Sequence, residues 1–314
     1  MEISIIIVNW NSGPLLGDCL RSIRSFGSKH VGSVVVVDNG STDDSLEGIE
    51  HLCAHDLAII RNAQNVGFAR ACNAGAKRAT TNFLLFLNPD ARLSEHTLAN
   101  ALKAMTNKLP SRVAIVGAKL INSSGQVSRS CVRFPNTRRF LAHSLGIDRL
   151  APKLGYSMAD WDHTESRDVD HVIGAFLLIR TAAFVEAGGF DERFFVYLED
   201  LDLSREVSRH GWCSWYESTA VAFHVGGGTS SQVKPQRLFY SLRSRVLYAK
   251  KHLGSFGFAA VTASTLLIEP WSRLFAACMR RDLAMATETR DAYRWLWRWF
   301  LTGCRQNGAV SPPG

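Results

Sequence analysis

The chain has 314 residues, 46% of them hydrophobic, enough for one large α/β domain with an appendage or for two small domains. Seven cysteines, an odd number without a Cys-x-x-Cys pair, argue against a disulfide framework or a zinc site and suit a reducing cytoplasm. The net charge of +8 lies entirely in the last quarter: residues 1–236 hold 24 basic and 24 acidic side chains, and Arg237 to the end holds 12 and 4.

The first apolar run, Ile3–Val8, has no basic lead-in and is too short for a leader's apolar region, so it reads as a buried strand ending at Asn9. Ser12 can cap a helix with Pro14 in its first turn, running to about Ser25. Val34–Val37 is a second strand ending at Asp38, and the Asn39–Asp44 turn leads into a helix capped at Ser45. A strand at Leu57–Arg61, a helix over Phe68–Ala79 and a strand at Phe83–Leu87 follow, the last ending in Asn88, Pro89 and Asp90. A helix over Ser94–Asn107 and a strand at Ala114–Leu120 complete this half. The alternation predicts a mostly parallel, Rossmann-like sheet flanked by helices.

Between about Ser128 and Arg167 the rhythm is lost in a long basic insertion containing Arg129, Arg133, Arg138 and Arg139. Unstructured loops of that length are usually functional or mobile, and the Arg133–Arg139 stretch is a candidate for binding an acceptor's diphosphate. Strand-like pieces resume at Val172–Ile179. A short helix to Ala187, an acidic segment and a helix through His210 come next. Short strands at Ser214–Glu217 and Ala220–Phe223 lead to His224 and the glycines 226–228.

The most informative segment runs from Gly188 to Asp202. It sets Asp191, Glu192, Arg193, Glu199, Asp200 and Asp202 among aromatic residues. An aromatic wall around Glu199 and Asp200 would restrict water and adjust their basicity, as a general base requires. The plainer reading is an aromatic turn followed by the acidic first turn of a helix.

Asp38, Asn65, Gly67, Asn88 and Asp90 fall at or just beyond the C-terminal ends of predicted strands, the edge where open α/β sheets bind ligands. Asp38 could accept hydrogen bonds from a base or ribose, or simply turn the chain with Asn39 and Gly40. Asn65, Gly67, Asn73 and Gly75 could let a phosphate approach a helix entrance, or serve tight helix–sheet packing. Asp90 could offer one hard oxygen to Mg²⁺ or Mn²⁺, or belong to an Asn-Pro-Asp turn. His224 could be a second metal ligand or a structural histidine.

Taken together these segments resemble the inverting glycosyltransferases of family 2, with the GT-A fold, and most closely the bacterial rhamnosyltransferase branch that decorates polyprenyl-linked cell-wall and surface polysaccharide precursors. The resemblance covers about residues 1–250, through VNWN at 8–11, VVDNGSTDDS at 36–45, NVGFARACNAG at 65–75, LNPDA at 87–91, GGFDERFFVYLEDLDLSREVSRHGW at 188–212 and HVGGGTS at 224–230. It implies a nucleotide-sugar site formed by Val8, Asn9, Asp38, Asn65, Gly67 and Asn88, with Asp38 on the nucleobase. Asn88 and Asp90 stand where that fold usually carries Asp-x-Asp, so the implied metal, Mg²⁺ or Mn²⁺, rests on Asp90 and His224. Asp200 is the implied base, with Glu199 supporting it or binding the acceptor.

The implied donor is dTDP-L-rhamnose, with UDP-sugars as the alternative, and the implied acceptor is a lipid-linked saccharide. A single inverting displacement needs a base opposite the leaving diphosphate and an electrophile on it, but no nucleophilic Ser or Cys. A sugar nucleotidyltransferase would carry a Gly-rich basic loop after the first strand, where Asn9, Trp10, Asn11 and Ser12 stand instead. A processive synthase would carry Gln-x-x-Arg-Trp, which the chain lacks. Asp90, Asp200 and His224 together argue against a non-catalytic sugar-nucleotide-binding protein.

Residues 251–314 read as a separate basic helical tail with Trp271, Trp295, Trp297 and Trp299. Arg290, Arg294 and Arg298 form one helical stripe, with Ala292, Trp295, Leu296, Trp299 and Phe300 largely on the other side. That pattern describes a helix lying in a membrane interface. Phe256–Ile268 is apolar but spans 13 residues, short of the roughly 20 that cross a bilayer. The expectation is a cytoplasmic enzyme, peripheral on the inner face of the bacterial plasma membrane and drawn to an anionic surface. The alternative is a packed helical pair with a solvated Arg face. No nucleic-acid recognition motif accompanies the tail.

Overall fold

The computed structural model describes residues 2–27, 29–52, 56–107, 112–226 and 234–303. Its elements divide into two compact units: residues 1–134, 161–192 and 199–229, and residues 135–160, 193–198 and 230–314. Three separate stretches of chain build the second unit.

In the first unit β1 (Ile3–Asn9) lies between β2 (Val31–Asp38) and β4 (Phe83–Leu87), with β3 (Asp56–Arg61) beyond β2, all parallel. Every residue of β1 and β4 is buried, as strands covered on both faces require. Ile3, Ile5 and Ile7 share a core with Leu16, Leu20 and Ile23 of α1 (Pro14–Phe26). Each such side chain contributes about 1.5–3 kcal/mol on full burial. The crossover helix α2 (Phe68–Ala76) follows β3. Its Gly75 settles one open reading: a Cβ there would meet Ile6 Cγ2 at 2.6 Å, so this glycine serves helix–sheet packing.

The rest of the sheet is mixed, with antiparallel strands set among the parallel ones. β5 (Ala91–Leu93), α3 (Thr97–Asn107) and β6 (Val113–Ile121) precede the insertion; β8 (Arg167–Val169), β10 (Phe176–Arg180) and β11 (Cys213–His224) follow it. The order is β3-β2-β1-β4-β10-β6-β11-β5, with β8 beside β11. β10 enters antiparallel between β4 and β6, while β6 and β11 are parallel. A separate pair joins β7 (Cys131–Val132) to β9 (His171–Val172). The α5 (Thr181–Glu186) and α6 (Glu199–Arg209) helices complete the unit.

Two local expectations change. The helix expected from Ser45 is two short 3₁₀ turns, Asp44–Leu46 and Ile49–His51, because Gly48 takes a left-handed conformation (φ 65°) between them. The two short strands expected after Ser214 are one strand, β11, whose register shifts between Glu217 and Val221. The buried Glu217 carboxylate holds that bulge by accepting from Ser166 Oγ (2.8 Å) and Thr219 Oγ1 (2.7 Å).

The second unit is helical. Part of the irregular insertion folds into α4 (Thr137–Ser144), whose N-cap Asn136 accepts from Arg139 N at 3.0 Å. The others are α7 (Lys234–His252), α8 (Gly254–Ala263), α9 (Glu269–Arg280) and α10 (Leu283–Gly303). Phe239, Leu242 and Val246 of α7 pack with Leu266 and with Ala292, Tyr293, Leu296 and Trp299 of α10. Trp295 and Phe300 pack against that core, and Arg290, Arg294 and Arg298 face solvent. The apolar side of α10, expected to meet a membrane, is therefore spent inside the helical unit, and its arginines form the solvated face.

Candidate active site

The site lies in the first unit, at the C-terminal ends of β1, β2 and β4. Where β1 and β2 end, Asn9 is fully buried and donates from Nδ2 to Asp38 Oδ1 (2.9 Å), Ser41 Oγ (3.1 Å) and Ser45 Oγ (2.9 Å). Ser12 donates to its Oδ1. Asp38 also accepts from Ser41 N (3.1 Å) and Ser41 Oγ (2.5 Å). Asp38 thus ends the strand and fixes the loop, as the turn reading expects. Val8, the residue before Asn9, is buried as well.

The next loop is tied to this one. Asn39 Nδ2 donates to Asn65 Oδ1 and to the Gly67 carbonyl, both at 3.3 Å. Asn65 Oδ1 also accepts from Gly67 N at 2.9 Å. Gly67 opens α2 at φ 91°, a conformation that glycine alone takes without strain. Asn73 lies further along α2 and is committed to structure: its amide donates to Phe190 O (2.8 Å) and accepts from Phe190 N (3.0 Å).

Asn88, Asp90 and His224 converge although 136 residues separate the first from the last. The antiparallel pairing of β5 with β11 sets Ala91 opposite His224. That places His224 Nε2 3.2 Å from Asp90 Oδ1 and 3.5 Å from Asn88 Nδ2. Asp90 Oδ2 accepts from Gly226 N at 3.2 Å. Burial works against a charge on Asp90, but the hydrogen bond and charge of His224 and the Gly226 N–H hold its carboxyl below the usual range. One carboxylate oxygen and one imidazole nitrogen this close can share a cation. The donor set fits Mg²⁺ or Mn²⁺ completed by phosphate oxygens. Gly227, Gly228 and Thr229 of the following motif lie outside the described residues.

The two acidic candidates head α6 and differ sharply. Asp200 Oδ2 accepts from Gly174 N at 2.7 Å and stands 3.5 Å from His171 Nε2; Oδ1 accepts from Leu201 N at 2.8 Å. His171 is buried, and its Nδ1 meets Ser204 Oγ at 2.8 Å. Burial alone would raise the Asp200 pKa, yet His171 and the two backbone N–H groups hold it below the usual range. Burial first, and repulsion from Asp200 second, push the Glu199 carboxyl well above its usual range. Glu199 Oε2 is buried with no hydrogen-bond partner among the described residues. The two neighbouring carboxyls are thus shifted in opposite directions.

The aromatics of this segment are mostly packing. Phe190 sits edge-on to Phe86 (4.8 Å between centroids) and against Phe184 and Phe68, while Phe195 stacks on Tyr240. Tyr197 and Leu198 enter α6 with left-handed backbone, φ 68° and 63°. Strain of this kind, costing of order 1–3 kcal/mol per residue, collects at functional sites. Cys72 is buried, and burial, with repulsion from Glu199 and Asp200, raises its thiol well above the usual range, so it offers no thiolate.

Sequence reasoning missed His171 and Gly174. A glycine between the apolar runs Val172–Ile173 and Ala175–Ile179 was the available signal for a close backbone approach. His171 gave no local signal, because its partner lies 29 residues further on.

The family described as Glycosyl transferase family 2 matches residues 4–157. The chain is 25% identical over 265 residues to the N-acetylglucosaminyl-diphospho-decaprenol L-rhamnosyltransferase of Mycobacterium tuberculosis, covering 80% of this chain and 85% of that protein. It is 26% identical over 272 residues to rhamnosyltransferase WbbL of Escherichia coli, covering 82% and 97%. Among solved structures, mannosyltransferase PcManGT from Pyrobaculum calidifontis, in complex with GDP-Man and Mn²⁺, aligns with a TM-score of 0.55 at 17% identity over 98% of this chain and 86% of that one. S. aureus TarS 1–349 in complex with UDP-GlcNAc aligns with a TM-score of 0.56 at 16% identity, covering 96% and 92%. The fold is GT-A-like.

Proposed function

Because this chain belongs to glycosyl transferase family 2 and is a glycosyltransferase, we propose that it transfers L-rhamnose from dTDP-L-rhamnose, with inversion, to a hydroxyl of a polyprenyl-diphosphate-linked saccharide. Its role is in bacterial cell-wall or surface polysaccharide synthesis. The names of the two rhamnosyltransferase relatives support the donor, and the lipid-linked substrate in the mycobacterial relative's name supports the acceptor. A UDP-sugar is the competing donor, favoured by the structural likeness to a protein holding UDP-GlcNAc.

The observation that carries the reaction class is the state of Asp200. Its carboxyl is held below the usual range while that of the adjacent Glu199 is raised, so of the two it is the one suited to take the proton of the attacking hydroxyl as the glycosidic bond forms. Gly174 N–H and His171 fix its direction before substrate arrives. Glu199, buried beside it with its own carboxyl raised, supports the base. At the other end Asn9 and Ser41 hold Asp38 and the 39–45 loop for the nucleobase, Asn65 and Gly67 present the entrance of α2 to the nucleotide, and Asn88 contributes its amide. Asp90 and His224 would hold Mg²⁺ or Mn²⁺, which when bound neutralises charge growing on the leaving diphosphate. A lipid-linked acceptor supports work on the inner face of the plasma membrane, with the protein peripheral. No described helix is long and apolar enough to cross a membrane.

The test is incorporation of labelled sugar into extractable lipid, with bacterial membranes as acceptor, for wild type and Asp200→Asn, with and without a chelator. Metal-dependent label from dTDP-rhamnose that the variant loses is the expected result. Label from a UDP-sugar alone would keep the mechanism and replace the donor. Label from no donor would overturn the transfer reading.

A further inference from the structure

Helices α8 and α9 are joined by a π-helical turn, Ser264–Ile268, so the chain is helical from Gly254 to Arg280. One side of this helix is apolar and exposed. It carries Phe256 (83% exposed), Leu267 (58%), Ile268 (45%), Trp271 (72%), Phe275 (68%) and Met279 (69%). The buried side mixes the apolar Val261, Leu266 and Ala277 with Thr262, Ser264, Thr265 and Glu269. The three hydroxyl oxygens there have no hydrogen-bond partner among the described residues. Leu267, Trp271, Phe275 and Met279 recur every four residues and so share one stripe. From Phe256 to Met279 the helix spans about 35 Å. A helix facing water presents polar residues outward; this one presents large apolar ones and buries four polar side chains. A continuous apolar surface of this kind marks an interaction site.

The charge around it selects the occupant. Over residues 254–303, the exposed charged side chains among the described residues are Arg280, Arg281, Arg290, Arg294 and Arg298 against one acid, Asp282. Arg280 and Arg281 directly follow the stripe. A second copy of the chain would bring the same arginines to the seam and repel. A surface of anionic lipid satisfies both features: apolar side chains enter the boundary of the acyl chains, Trp271 suits the headgroup level, and arginines meet lipid phosphates.

We propose that the exposed stripe of α8 and α9, not the apolar face of α10, is the surface by which the protein lies on an anionic bilayer. This deepens the membrane part of the reading above and is independent of the transfer chemistry. The test is flotation of the full chain with phosphatidylcholine vesicles, with and without phosphatidylglycerol, in low and high salt. Trp271→Ser/Phe275→Ser/Met279→Ser and Arg280→Glu/Arg281→Glu are run beside wild type. These are exposed side chains, so the variants keep the wild-type circular dichroism melt.

Wild type is expected to float with phosphatidylglycerol vesicles, with each variant reducing the bound fraction about tenfold and salt weakening binding. Variants that float as wild type does would overturn the assignment. So would a wild type that ignores both vesicles and sediments as a dimer which the triple variant dissociates; that result would give the stripe to a second copy. Neither donor nor acceptor is needed, so flotation can fail while lipid-linked transfer stands, and the reverse.

Discussion

Gly174 donates its backbone N–H to Asp200 Oδ2 at 2.7 Å, and the next carbonyl, that of Ala175, accepts from the N–H of Asn88 at 3.1 Å. The start of β10 therefore ties the carboxylate at the head of α6 to the end of β4, from which Asn88 leads to Asp90. A Cβ at position 174 would stand 3.3 Å from Asp200 Oδ2, tighter than most Cβ contacts. Gly174→Ala is expected to displace the carboxylate by a few tenths of an ångström and lower kcat about tenfold, leaving the donor KM unchanged. Asp200→Asn removes the base and should cost about 10²–10⁴ in kcat. Initial rates at saturating donor decide it. A Gly174→Ala enzyme at full speed would show that this bond does not set the carboxylate's position.

The Glu199 and Asp200 carboxyls shift in opposite directions, and that difference predicts opposite phenotypes. Glu199→Gln keeps the shape of a carboxyl whose protonated form is favoured, so transfer should stay within about tenfold of wild type, in contrast to Asp200→Asn. Stability should respond as well. The Glu199 carboxyl is raised by burial and by Asp200, so in the unfolded chain it ionises at a lower pH than in the folded one. Between those two values the unfolded state binds fewer protons, and stability falls as pH rises. Glu199→Gln removes this loss, so its melting temperature relative to wild type should increase from pH 5 to pH 8 in a thermal-melt series. The Asp200 carboxyl shifts the other way, so the acid limb of the rate profile should lie below the usual carboxylate range, and His171→Gln should move it upward.

What the sequence disclosed follows the range of the forces involved. The Phe83–Leu87 strand is found at its expected bounds, because an unbroken apolar run between Asn82 and Asn88 is a local signal. Asp38 and Asp90 were identifiable as strand-end residues on the same ground. The meeting of Asp90 with His224 depends on β5 pairing with β11, a contact between distant parts of the chain that no local spacing encodes. The His171–Asp200 pair depends likewise on where β9 lies relative to α6. In α10 both the period and the two faces were legible, but not what the apolar face would meet. Only tertiary packing assigns Leu296 and Trp299 to the core of the helical unit and leaves Trp271 and Phe275 of α9 outside.

Asp90 and His224 lie 3.2 Å apart at the end of β11, and Asp90→Asn removes the charge of that pair while keeping its shape. Mn²⁺ titration followed by electron paramagnetic resonance should show affinity reduced about tenfold or more in Asp90→Asn and in His224→Ala. Chelated wild type should lose transfer and recover it on adding Mn²⁺. Wild-type affinity in both variants would remove these residues from the metal site, whatever their activity.

The second unit has its own pH-dependent element. Glu269 is buried between Arg245, itself buried, and Arg273, whose Nη2 lies 2.8 Å from Glu269 Oε1. Burial would raise the Glu269 pKa, but the two guanidinium charges and their hydrogen bonds hold it below the usual range. A carboxyl depressed on folding contributes stability that is present above its unfolded pKa and lost as pH falls through the folded one. Glu269→Gln leaves Arg245 buried against a neutral amide, a change expected to cost about 3–5 kcal/mol at neutral pH. Calorimetric melts of wild type and variant should therefore differ most at pH 7 and converge toward pH 3. A difference that stayed constant with pH would mean that Glu269 contributes by packing and not by its charge.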